Sequence, residues 1–203
     1  MRDFRHELRH ERCWDAEVQA HYEAHGYPPD GRLLQNRDEL IGLCEWIEAN
    51  DIRSYLEIGV WTGHLTTTLH RLFNFDVVAA CDTNWVRTIG LQMRLPFGVQ
   101  YFEGSSHSDA YLAFREKLGH IDLVMIDGDH SYEGVKQDFD INKQFPHRFL
   151  GFHDITGGND GCGGVRQLWE ELEGSKTTII ESQRECGLEH SLMGIGLWSA
   201  SSL

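Results

Sequence analysis

The chain has 203 residues, 40% of them hydrophobic, and a formal net charge of −14. A chain of this length can bury one substantial core, so we expect a single main domain. The acidic excess argues against a nucleic-acid backbone or an anionic membrane as the main partner, because both reward lysine and arginine. A small-molecule partner is therefore expected.

The cysteines and the hydropathy pattern favour a soluble protein of a reducing compartment. The cysteines are odd in number and include no CxxC pair: Cys13, Cys44, Cys81, Cys162 and Cys186. Neither a disulfide framework nor a cysteine zinc site is indicated. The first residues are charged throughout, and no later apolar run approaches the length of a membrane span. We expect a cytoplasmic location.

Residues 1–35 are predicted to form a helical extension in front of a main domain at residues 36–203. Charge and an irregular apolar stripe predict one peripheral helix over residues 1–23. The segment from His6 to His10 matches HExxH, in which two histidines one helical turn apart bind zinc. We interpret the match as incidental, because the predicted helix is polar on nearly every side and lies at the extreme end of the chain.

Beyond a second helix at residues 36–50, strand and helix patterns alternate, as is typical of a doubly wound parallel sheet. The predicted strands are residues 54–58, 77–81, 100–103, 121–126, 149–152, 176–180 and 193–198. The first predicted helix follows the turn at 59–63 and ends near residue 73. The other predicted helices cover residues 85–93, 109–118, 132–143 and 165–172. No long helix separates the last two strands, which predicts an antiparallel pair at one edge. The fold class is therefore α/β, with a mostly parallel seven-stranded sheet, an antiparallel edge strand and N-terminal helices.

Two aspartates and a histidine follow the fourth predicted strand. Asp127, Asp129 and His130 come at its carboxyl end, where open α/β sheets bind their ligands. Burying this cluster is costly without a cation or hydrogen-bond donors, which indicates a site. The alternative is a turn whose aspartates only accept backbone N–H groups while Gly128 adopts a positive φ.

A glycine turn follows the first predicted strand. Glycines here allow a close cofactor approach, and an acidic residue some 20 positions later can bind ribose hydroxyls. Glu57, Gly59, Gly63 and Asp82 have this order. The ring of Trp61 would obstruct a pyrophosphate, so a nucleoside without phosphates fits better. The alternative is a tight βα turn that binds nothing.

These segments together resemble a class I S-adenosylmethionine-dependent methyltransferase over residues 36–198. The motifs that carry the resemblance are Glu-Ile-Gly-Val-Trp-Thr-Gly at 57–63, Asp82, Ile-Asp-Gly-Asp-His-Ser-Tyr-Glu-Gly-Val at 126–135 and Phe-His-Asp-Ile at 152–155. The chain is most similar to the metal-dependent sugar and macrocin O-methyltransferases and the cephalosporin hydroxylase-like group. It carries His153 where that group often has an acidic residue. The resemblance implies a Rossmann-like methyltransferase sheet.

The resemblance also implies roles for individual residues. Cofactor-binding residues would be Glu57, Gly59, Trp61 and Gly63 near the methionine end, Asp82 at the ribose, Gly104, Ser105 and Ser106 beside adenine, and Asp127. Metal ligands would be Asp127, His153 and Asp154. Catalytic residues would be Asp127 and Asp129, with Asp129 as the candidate base.

The chemistry of methyl transfer agrees with these roles. A neutral alcohol is a poor nucleophile at pH 7, but a divalent ion lowers its pKa and a nearby carboxylate accepts the proton. Carboxylate oxygens suit Mg²⁺ or Mn²⁺, and His153 would favour Mn²⁺ or a softer metal. For His153 the alternative is a hydrogen bond to the sheet edge. The glycine-rich loop 157–164 is placed to be a flap over the substrate or, alternatively, a plain connector.

Three functions follow from the sequence. The leading one is a metal-dependent O-methyltransferase that acts on a hydroxyl of a small metabolite such as a sugar. The second is a metal-dependent hydrolase of phosphate esters, which leaves Glu57 and Asp82 without a role and lacks a basic phosphate clamp. The third is a non-catalytic protein that keeps a cofactor pocket. The short chain and its N-terminal helices are compatible with a homodimer that completes the site.

Overall fold

The computed structural model describes residues 2–159 and 161–200. Outside it lie residue 1 of the predicted extension, residue 160 of the glycine-rich loop and residues 201–203 of the predicted main domain. The strands are β1 Ser54–Ile58, β2 Val77–Asp82, β3 Gln100–Glu103, β4 Ile121–Ile126, β5 His147–His153, β6 Ser175–Ile179 and β7 Ile195–Ser199. The helices are α1 Phe4–Glu7, α2 Ala16–His25, α3 Arg37–Ala49, α4 His64–Phe73, α5 Asp109–Leu118, α6 Tyr132–Asn142 and α7 Gly163–Glu171.

The strands form one seven-stranded sheet in the order β3-β2-β1-β4-β5-β7-β6. The pairs among β1 to β5 are parallel, and β7 is antiparallel to both of its neighbours. The predicted fold class is confirmed, with one difference in detail. The antiparallel strand is β7, second from the edge, because the β6–β7 connection contains only a 3₁₀ turn at Arg184–Cys186 and no crossover helix.

The central strands are buried on both faces, as a doubly wound sheet requires. Every residue of β1 and of β4 is buried. Alternate side chains enter two separate cores, since successive residues of a strand point to opposite faces. Tyr55 and Leu123 pack with α3 and α4 in one core. Leu56 and Val124 pack with α5, α6 and α7 in the other.

Helix α6 begins directly after the β4 turn. The Ser131 side chain caps the helix by accepting a hydrogen bond from the Gly134 N–H at 3.1 Å. The cap stabilises the start of α6, because the first N–H groups of a helix have no partner within the helix. The turn that carries Asp127, Asp129 and His130 is therefore held between a buried strand and a capped helix.

The predicted single helix over residues 1–23 is wrong. The chain forms the short α1, then an irregular stretch, then α2, which Asp15 caps by accepting from the Val18 N–H. The stretch between the helices pairs with residues 33–35: the Leu33 N–H donates to Arg12 O at 2.8 Å and the Trp14 N–H to Gln35 O at 3.1 Å. These tertiary bonds replace the bonds of a continuous helix.

The predicted helix over residues 85–93 is also wrong. Only a 3₁₀ turn forms, at Trp85–Ile89, and Gly90 ends it with φ of 79°. The chain then runs without regular structure, and the Arg94 N–H donates to Thr62 O at 3.0 Å. This bond ties the segment to the turn after β1, an arrangement that a helix through residue 93 would prevent.

The HExxH match has no metal-site geometry. Helix α1 ends at Glu7, so His10 does not share a helical face with His6, and both histidines are exposed. Among the described residues, neither belongs to a group of three side chains that could hold a metal ion. Among all the residues that the structure describes, no helix is long and apolar enough to cross a membrane.

The N-terminal segment contributes to the core, which yields a stability prediction. Leu8 is fully buried against the core formed with α3 and α4. A Leu8→Ala substitution should lower the free energy of unfolding by about 2–5 kcal/mol through lost burial and a cavity. The control is Leu112→Ala, because Leu112 is 37% exposed on α5. Chemical denaturation measures both. A Leu8→Ala variant as stable as the control would contradict docking of the N-terminal segment.

Candidate functional site

One cavity of about 560 Å³ opens at the carboxyl edge of the parallel strands. It is lined by residues that follow β1 to β5, together with residues of the N-terminal segment and of the β6–β7 connection. The predicted site residues among them are Gly59, Trp61, Asp82, Gly104, Ser105, Ser106, Asp127, Asp129, His153 and Asp154. Glu57 and Gly63 are the predicted site residues that do not line this cavity.

The turn after β1 is packed against the end of β4. Gly59 has φ of 80°, and a Cβ there would lie 2.1 Å from Asp127 O. The Asp127 N–H donates to Ile58 O at 2.8 Å. Only glycine fits this approach. Gly63 has φ of 82° and is equally confined, with its hypothetical Cβ 2.6 Å from Arg94 O. Gly63 therefore shapes the turn from outside the cavity.

Glu57 lies beneath the turn rather than in the main cavity. Its buried carboxylate accepts hydrogen bonds from the Thr66 hydroxyl and, at 3.2 Å, from the Tyr55 hydroxyl. It lines a small adjoining cavity together with Gly59, Trp61 and Asp127. Glu57 therefore joins β1 to α4 and supports the turn from below.

Asp82 is held at the cavity by backbone N–H groups. One carboxylate oxygen accepts from the N–H groups of Val60 at 2.9 Å and Trp61 at 3.2 Å, and the other accepts from Asn84. Burial raises the pKa of Asp82, and these hydrogen bonds offset part of the rise. The carboxylate is thus fixed in orientation beside the turn after β1.

Two aspartates and two histidines form a compact cluster at the ends of β4 and β5. His130 Nε2 lies 3.1 Å from Asp127 Oδ1 and 3.8 Å from Asp154 Oδ2. His153 Nδ1 lies 3.4 Å from Asp127 Oδ1 and 3.5 Å from Asp154 Oδ2. The His153 side chain thus faces the carboxylates and does not bond to the sheet edge.

The charges in this cluster stabilise one another. Burial alone would raise the pKa of Asp127, but His153 and His130 hold it well below its usual range. Burial opposes protonation of the histidines, yet the carboxylates raise the pKa of His130 to about 11 and that of His153 well above its usual value. Without a cation, the histidines act as the counter-charges.

The donor set of the cluster also fits a divalent cation. Asp127, His153 and Asp154 each offer one ligand atom, and these atoms lie within 4.8 Å of one another. A second set under the same limit is His130, Asp154 and Cys162. Oxygen ligands with one imidazole suit Mn²⁺, whereas a thiolate would suit a softer metal. A bound cation would take over the charge balance that protonated histidines otherwise provide.

Asp129 lies apart from the cluster. It is exposed in the cavity wall, and its Oδ1 accepts from the Ser131 N–H at 2.9 Å. Asp129 thus accepts a backbone N–H as the turn alternative expects, although Gly128 does not adopt a positive φ. The role of Asp129 as a base remains a prediction.

Two residues of the glycine-rich loop contact the cluster. Asp160 of this loop lies outside the described residues. Asn159 Nδ2 donates to Asp154 Oδ1 at 3.1 Å, and Cys162 Sγ lies 3.2 Å from His130 Nδ1. Sequence reasoning missed Asn159 and Cys162 as site residues. Their only sequence signal was the position of the loop directly after Asp154.

Aromatic and apolar side chains form the remaining walls, and the sequence analysis missed them too. Trp14, Tyr22, Leu34 and Met193 line the cavity and pack together with Val18 and Cys186. On the side of β2, Trp85 is 50% exposed, and its ring centroid lies 5.7 Å from that of Trp61. No spacing in the sequence indicates that residues 14 and 193 meet at the carboxyl edge of the sheet.

Comparisons with known proteins agree with this fold. Residues 56–155 match a family model described as a methyltransferase domain. The chain is similar to cofactor-bound Rv0187 from MTB, with 20% identity over 92% of this chain and 89% of that chain and a TM-score of 0.56. It is also similar to the O-methyltransferase from Bacillus cereus in complex with SAH, with 15% identity over 90% and 89% of the two chains and a TM-score of 0.55.

A third similar structure is the O-methyltransferase TomG from Streptomyces achromogenes, involved in tomaymycin synthesis, in complex with SAM. Its identity is 16% over 91% of this chain and 87% of that chain, and the TM-score is 0.54. At such identities the likeness shows the fold alone. No curated protein matches the chain.

Glu57 gives a prediction about pH. Burial raises the pKa of Glu57 from 4.5 to about 8, and the nearby charge of Asp127 adds to the rise. Hydrogen bonds from the hydroxyls of Thr66 and Tyr55 oppose the rise only in part. The folded state therefore binds this proton more tightly than the unfolded chain, and the stability it provides is lost as the pH rises from about 4.5 to 8.

A Glu57→Gln substitution should remove that loss. Relative to the parent, the variant should gain stability between pH 4.5 and 8.5 by an amount on the order of a few kcal/mol. Denaturation at the two pH values measures the difference, with Glu45→Gln as the control because Glu45 is exposed on α3. A variant that tracks the parent at both pH values would contradict an elevated pKa of Glu57.

Proposed function

We propose that the chain is a class I S-adenosylmethionine-dependent methyltransferase and that it transfers the methyl group to a hydroxyl of a small, uncharged metabolite at a divalent cation site. One observation carries the proposal. A single cavity contains both the fixed carboxylate of Asp82 after β2 and the Asp127–Asp154 cluster after β4 and β5. A methyl donor and an acceptor must meet in such a shared space, because in-line transfer requires nucleophile, methyl and sulfur in a row.

The side of the cavity next to β1, β2 and β3 serves the cofactor in this proposal. Asp82 accepts hydrogen bonds from the ribose hydroxyls, and its own backbone donors keep it in place. Gly59 and Trp61 contact the methionine end, and Gly104, Ser105 and Ser106 lie beside adenine. The position of Gly104, Ser105 and Ser106 in the wall of the same cavity supports this arrangement.

The side next to β4 and β5 serves the acceptor. Asp127, His153 and Asp154 would hold the cation, which when bound supplies positive charge that lowers the pKa of the acceptor hydroxyl. The chain's own residues do the rest: the carboxylates orient the acceptor oxygen, and Asp129 accepts the proton. Asn159 fixes Asp154 from the loop side.

The walls of the cavity indicate the charge and shape of the acceptor. Among the described lining residues there is no lysine or arginine, so a phosphate or carboxylate on the acceptor would find neither of the side chains that normally bind such groups. Trp14, Tyr22, Leu34 and Met193 form an apolar part of the cavity wall. We therefore propose an uncharged acceptor with an apolar face, such as the C–H face of a sugar ring.

The same observation argues against hydrolysis of phosphate esters. Phosphate recognition normally uses arginine or lysine, and the described part of the cavity provides neither. That activity would also give no role to Asp82 and its three backbone donors.

Cofactor selectivity is the first test. S-adenosylhomocysteine should raise the melting temperature in a concentration-dependent way, because a ligand that binds only the folded state stabilises it by mass action. NAD should not, since the ring of Trp61 occupies the turn where a pyrophosphate would rest. Thermal melts with each ligand measure this. Stabilisation by NAD but not by S-adenosylhomocysteine would contradict the proposed cofactor.

The two sides of the cavity should show different defects when they are mutated. Asp82→Ala should weaken the binding of S-adenosylhomocysteine about tenfold or more, since hydrogen bonds to a charged group contribute about 1.5–3 kcal/mol each. Asp127→Asn and Asp154→Asn should bind S-adenosylhomocysteine nearly as the parent does but lose Mn²⁺ affinity. Calorimetric titrations with each ligand on each variant make the comparison.

The matched control is Asp76→Asn, because Asp76 is exposed near the opposite end of β2. It should leave both affinities unchanged. Full Mn²⁺ affinity in Asp127→Asn and Asp154→Asn, or a parent protein that binds no divalent ion, would show that the acidic cluster acts without a metal.

A further inference from the structure

Cys162 and His130 lie in the cavity but have no role in the function proposed above. Cys162 is 4% exposed, and its Sγ lies 3.2 Å from His130 Nδ1. With Asp154 they form a set of three ligand atoms that lie within 4.8 Å of one another. We call this set the thiolate site. All of its residues line the cavity, so an ion can reach them from solvent.

The spacing of the sulfur and the nitrogen suits a tetrahedral metal ion. In a zinc site the sulfur lies ~2.3 Å and the nitrogen ~2.0 Å from the ion, so the two ligand atoms lie about 3.5 Å apart. The 3.2 Å between Cys162 Sγ and His130 Nδ1 is close to that separation. Only a small shift of the two side chains is needed for both to bind one ion.

Asp127 orients His130 for this role. His130 Nε2 lies 3.1 Å from Asp127 Oδ1. A carboxylate only accepts hydrogen bonds, so Nε2 keeps its proton in this pair, whereas Nδ1 faces Cys162 and can release its proton to bind an ion. Histidine ligands of metals commonly donate their other N–H to a carboxylate, which fixes the ring. Asp127 thus supports the thiolate site without being one of its ligands.

The thiolate site shares one oxygen with the set of Asp127, His153 and Asp154, which we call the carboxylate site. Asn159 Nδ2 donates to Asp154 Oδ1 at 3.1 Å, which leaves Oδ2 for an ion. Oδ2 lies 3.8 Å from His130 Nε2 and 3.5 Å from His153 Nδ1, so it is within reach of both sites. The carboxylates of Asp127 and Asp154 can balance the charge of one divalent ion but not of two at such short range.

The two sites favour different ions. A thiolate and an imidazole suit Zn²⁺ and other thiophilic ions, whereas the carboxylate site suits Mn²⁺. In general Zn²⁺ also binds a site of nitrogen, oxygen and sulfur ligands more tightly than Mn²⁺ does. Zn²⁺ should therefore occupy the thiolate site even when Mn²⁺ is present.

We propose that the thiolate site binds thiophilic divalent ions such as Zn²⁺ and that an ion bound there excludes Mn²⁺ from the carboxylate site. The exclusion rests on the proposed function, which assigns Mn²⁺ to the carboxylate site, whereas the thiolate site itself does not. An ion at the thiolate site takes Asp154 Oδ2 away from the acceptor side. It also ties the glycine-rich loop, through Cys162, to the β4 turn that carries His130. Zn²⁺ is thus an inhibitor of the proposed reaction.

Absorption spectra with Co²⁺ test the thiolate site directly. A cobalt ion bound to a thiolate shows an intense sulfur-to-metal charge-transfer band in the near ultraviolet, and cobalt bound only to histidine does not. This distinction matters because the chain has 12 histidines that can bind metal weakly. The parent should show the band, Zn²⁺ should abolish it by displacement, and Cys162→Ser should lack it. The control, Cys186→Ser, should keep the band, because Cys186 is partly exposed but belongs to no set of three ligands among the described residues.

The exclusion is measured by counting bound Mn²⁺ with electron paramagnetic resonance while Zn²⁺ is added. Cys162→Ser should bind Mn²⁺ as the parent does, because the carboxylate site does not include Cys162. The Zn²⁺ concentration that displaces half of the Mn²⁺ should be about tenfold or more higher in Cys162→Ser than in the parent, since the thiolate ligand is lost.

Two aspartate variants separate the sites. Asp127→Asn should lose Mn²⁺ but keep the charge-transfer band at saturating Co²⁺, because an asparagine oxygen still accepts from His130 Nε2. Asp154→Asn should lose Mn²⁺ and bind Co²⁺ about tenfold or more weakly, since Asp154 belongs to both sites.

The outcomes distinguish this inference from the proposed function. A parent without the band at saturating Co²⁺, or a band that survives in Cys162→Ser, would overturn the thiolate site and leave the proposed function intact. Equal Zn²⁺ concentrations for half displacement in the parent and in Cys162→Ser would overturn the exclusion. A parent that shows the band but binds no Mn²⁺ would confirm the thiolate site and overturn the exclusion together with the metal-dependent function.

Alkylation of the parent decides the matter if Cys162→Ser fails to fold. Zn²⁺ should slow the alkylation of Cys162 about tenfold or more and leave that of Cys186 unchanged, because a metal-bound thiolate is a poorer nucleophile. Mass spectrometry of the labelled peptides measures both rates. An unchanged rate at Cys162 would overturn the thiolate site.

Discussion

The contact between Gly59 and the backbone of Asp127 is the constraint on which the site depends. A side chain at residue 59 would overlap Asp127 O, and the positive φ of Gly59 directs the turn across the end of β4. The hydrogen bond from Asp127 N–H to Ile58 O fixes the same approach. Because β1 and β4 are adjacent and fully buried, this contact brings the turn that would hold the cofactor beside the first aspartate of the cluster.

Charge balance is the second constraint. Among the described residues, four aspartates line the cavity, namely Asp82, Asp127, Asp129 and Asp154. Each is compensated in a different way: Asp82 by backbone N–H groups, Asp129 by the Ser131 N–H, and Asp127 and Asp154 by two histidines. Compensation by backbone N–H groups is permanent, whereas a protonated histidine can lose its proton when a bound cation replaces its positive charge. The exchangeable compensation lies on the acceptor side, where the proposed chemistry needs it.

The regular part of the fold was predictable from local sequence. The strands and the helices α5 and α6 follow from apolar runs, periodicity and serine caps, which act over a few residues. Most predicted site residues reach the cavity for the same reason, since each follows a strand of a parallel sheet. Glu57, in β1, and Gly63, in the turn after it, do not line the main cavity, because sequence order does not reveal which side of a strand end or turn a residue faces.

Tertiary contacts determined what the sequence did not reveal. Residues 1–23 do not form one helix, because the stretch before α2 bonds to residues 33–35. Residues 85–93 do not form a helix, because Gly90 ends the turn and Arg94 bonds to the β1 turn. The apolar wall combines Trp14 with Met193, which are almost the full chain apart. Such pairs depend on how helices and loops dock, and no local pattern encodes that.

The most direct test of the account is the anomalous scattering of manganese in a crystal grown with S-adenosylhomocysteine and Mn²⁺. The account predicts S-adenosylhomocysteine along the β1, β2 and β3 side of the cavity, with its ribose on Asp82. It also predicts one manganese peak bound by Asp127 and Asp154. A cofactor bound elsewhere would contradict it, as would a cavity with cofactor and no manganese while His130 and His153 remain paired with the carboxylates.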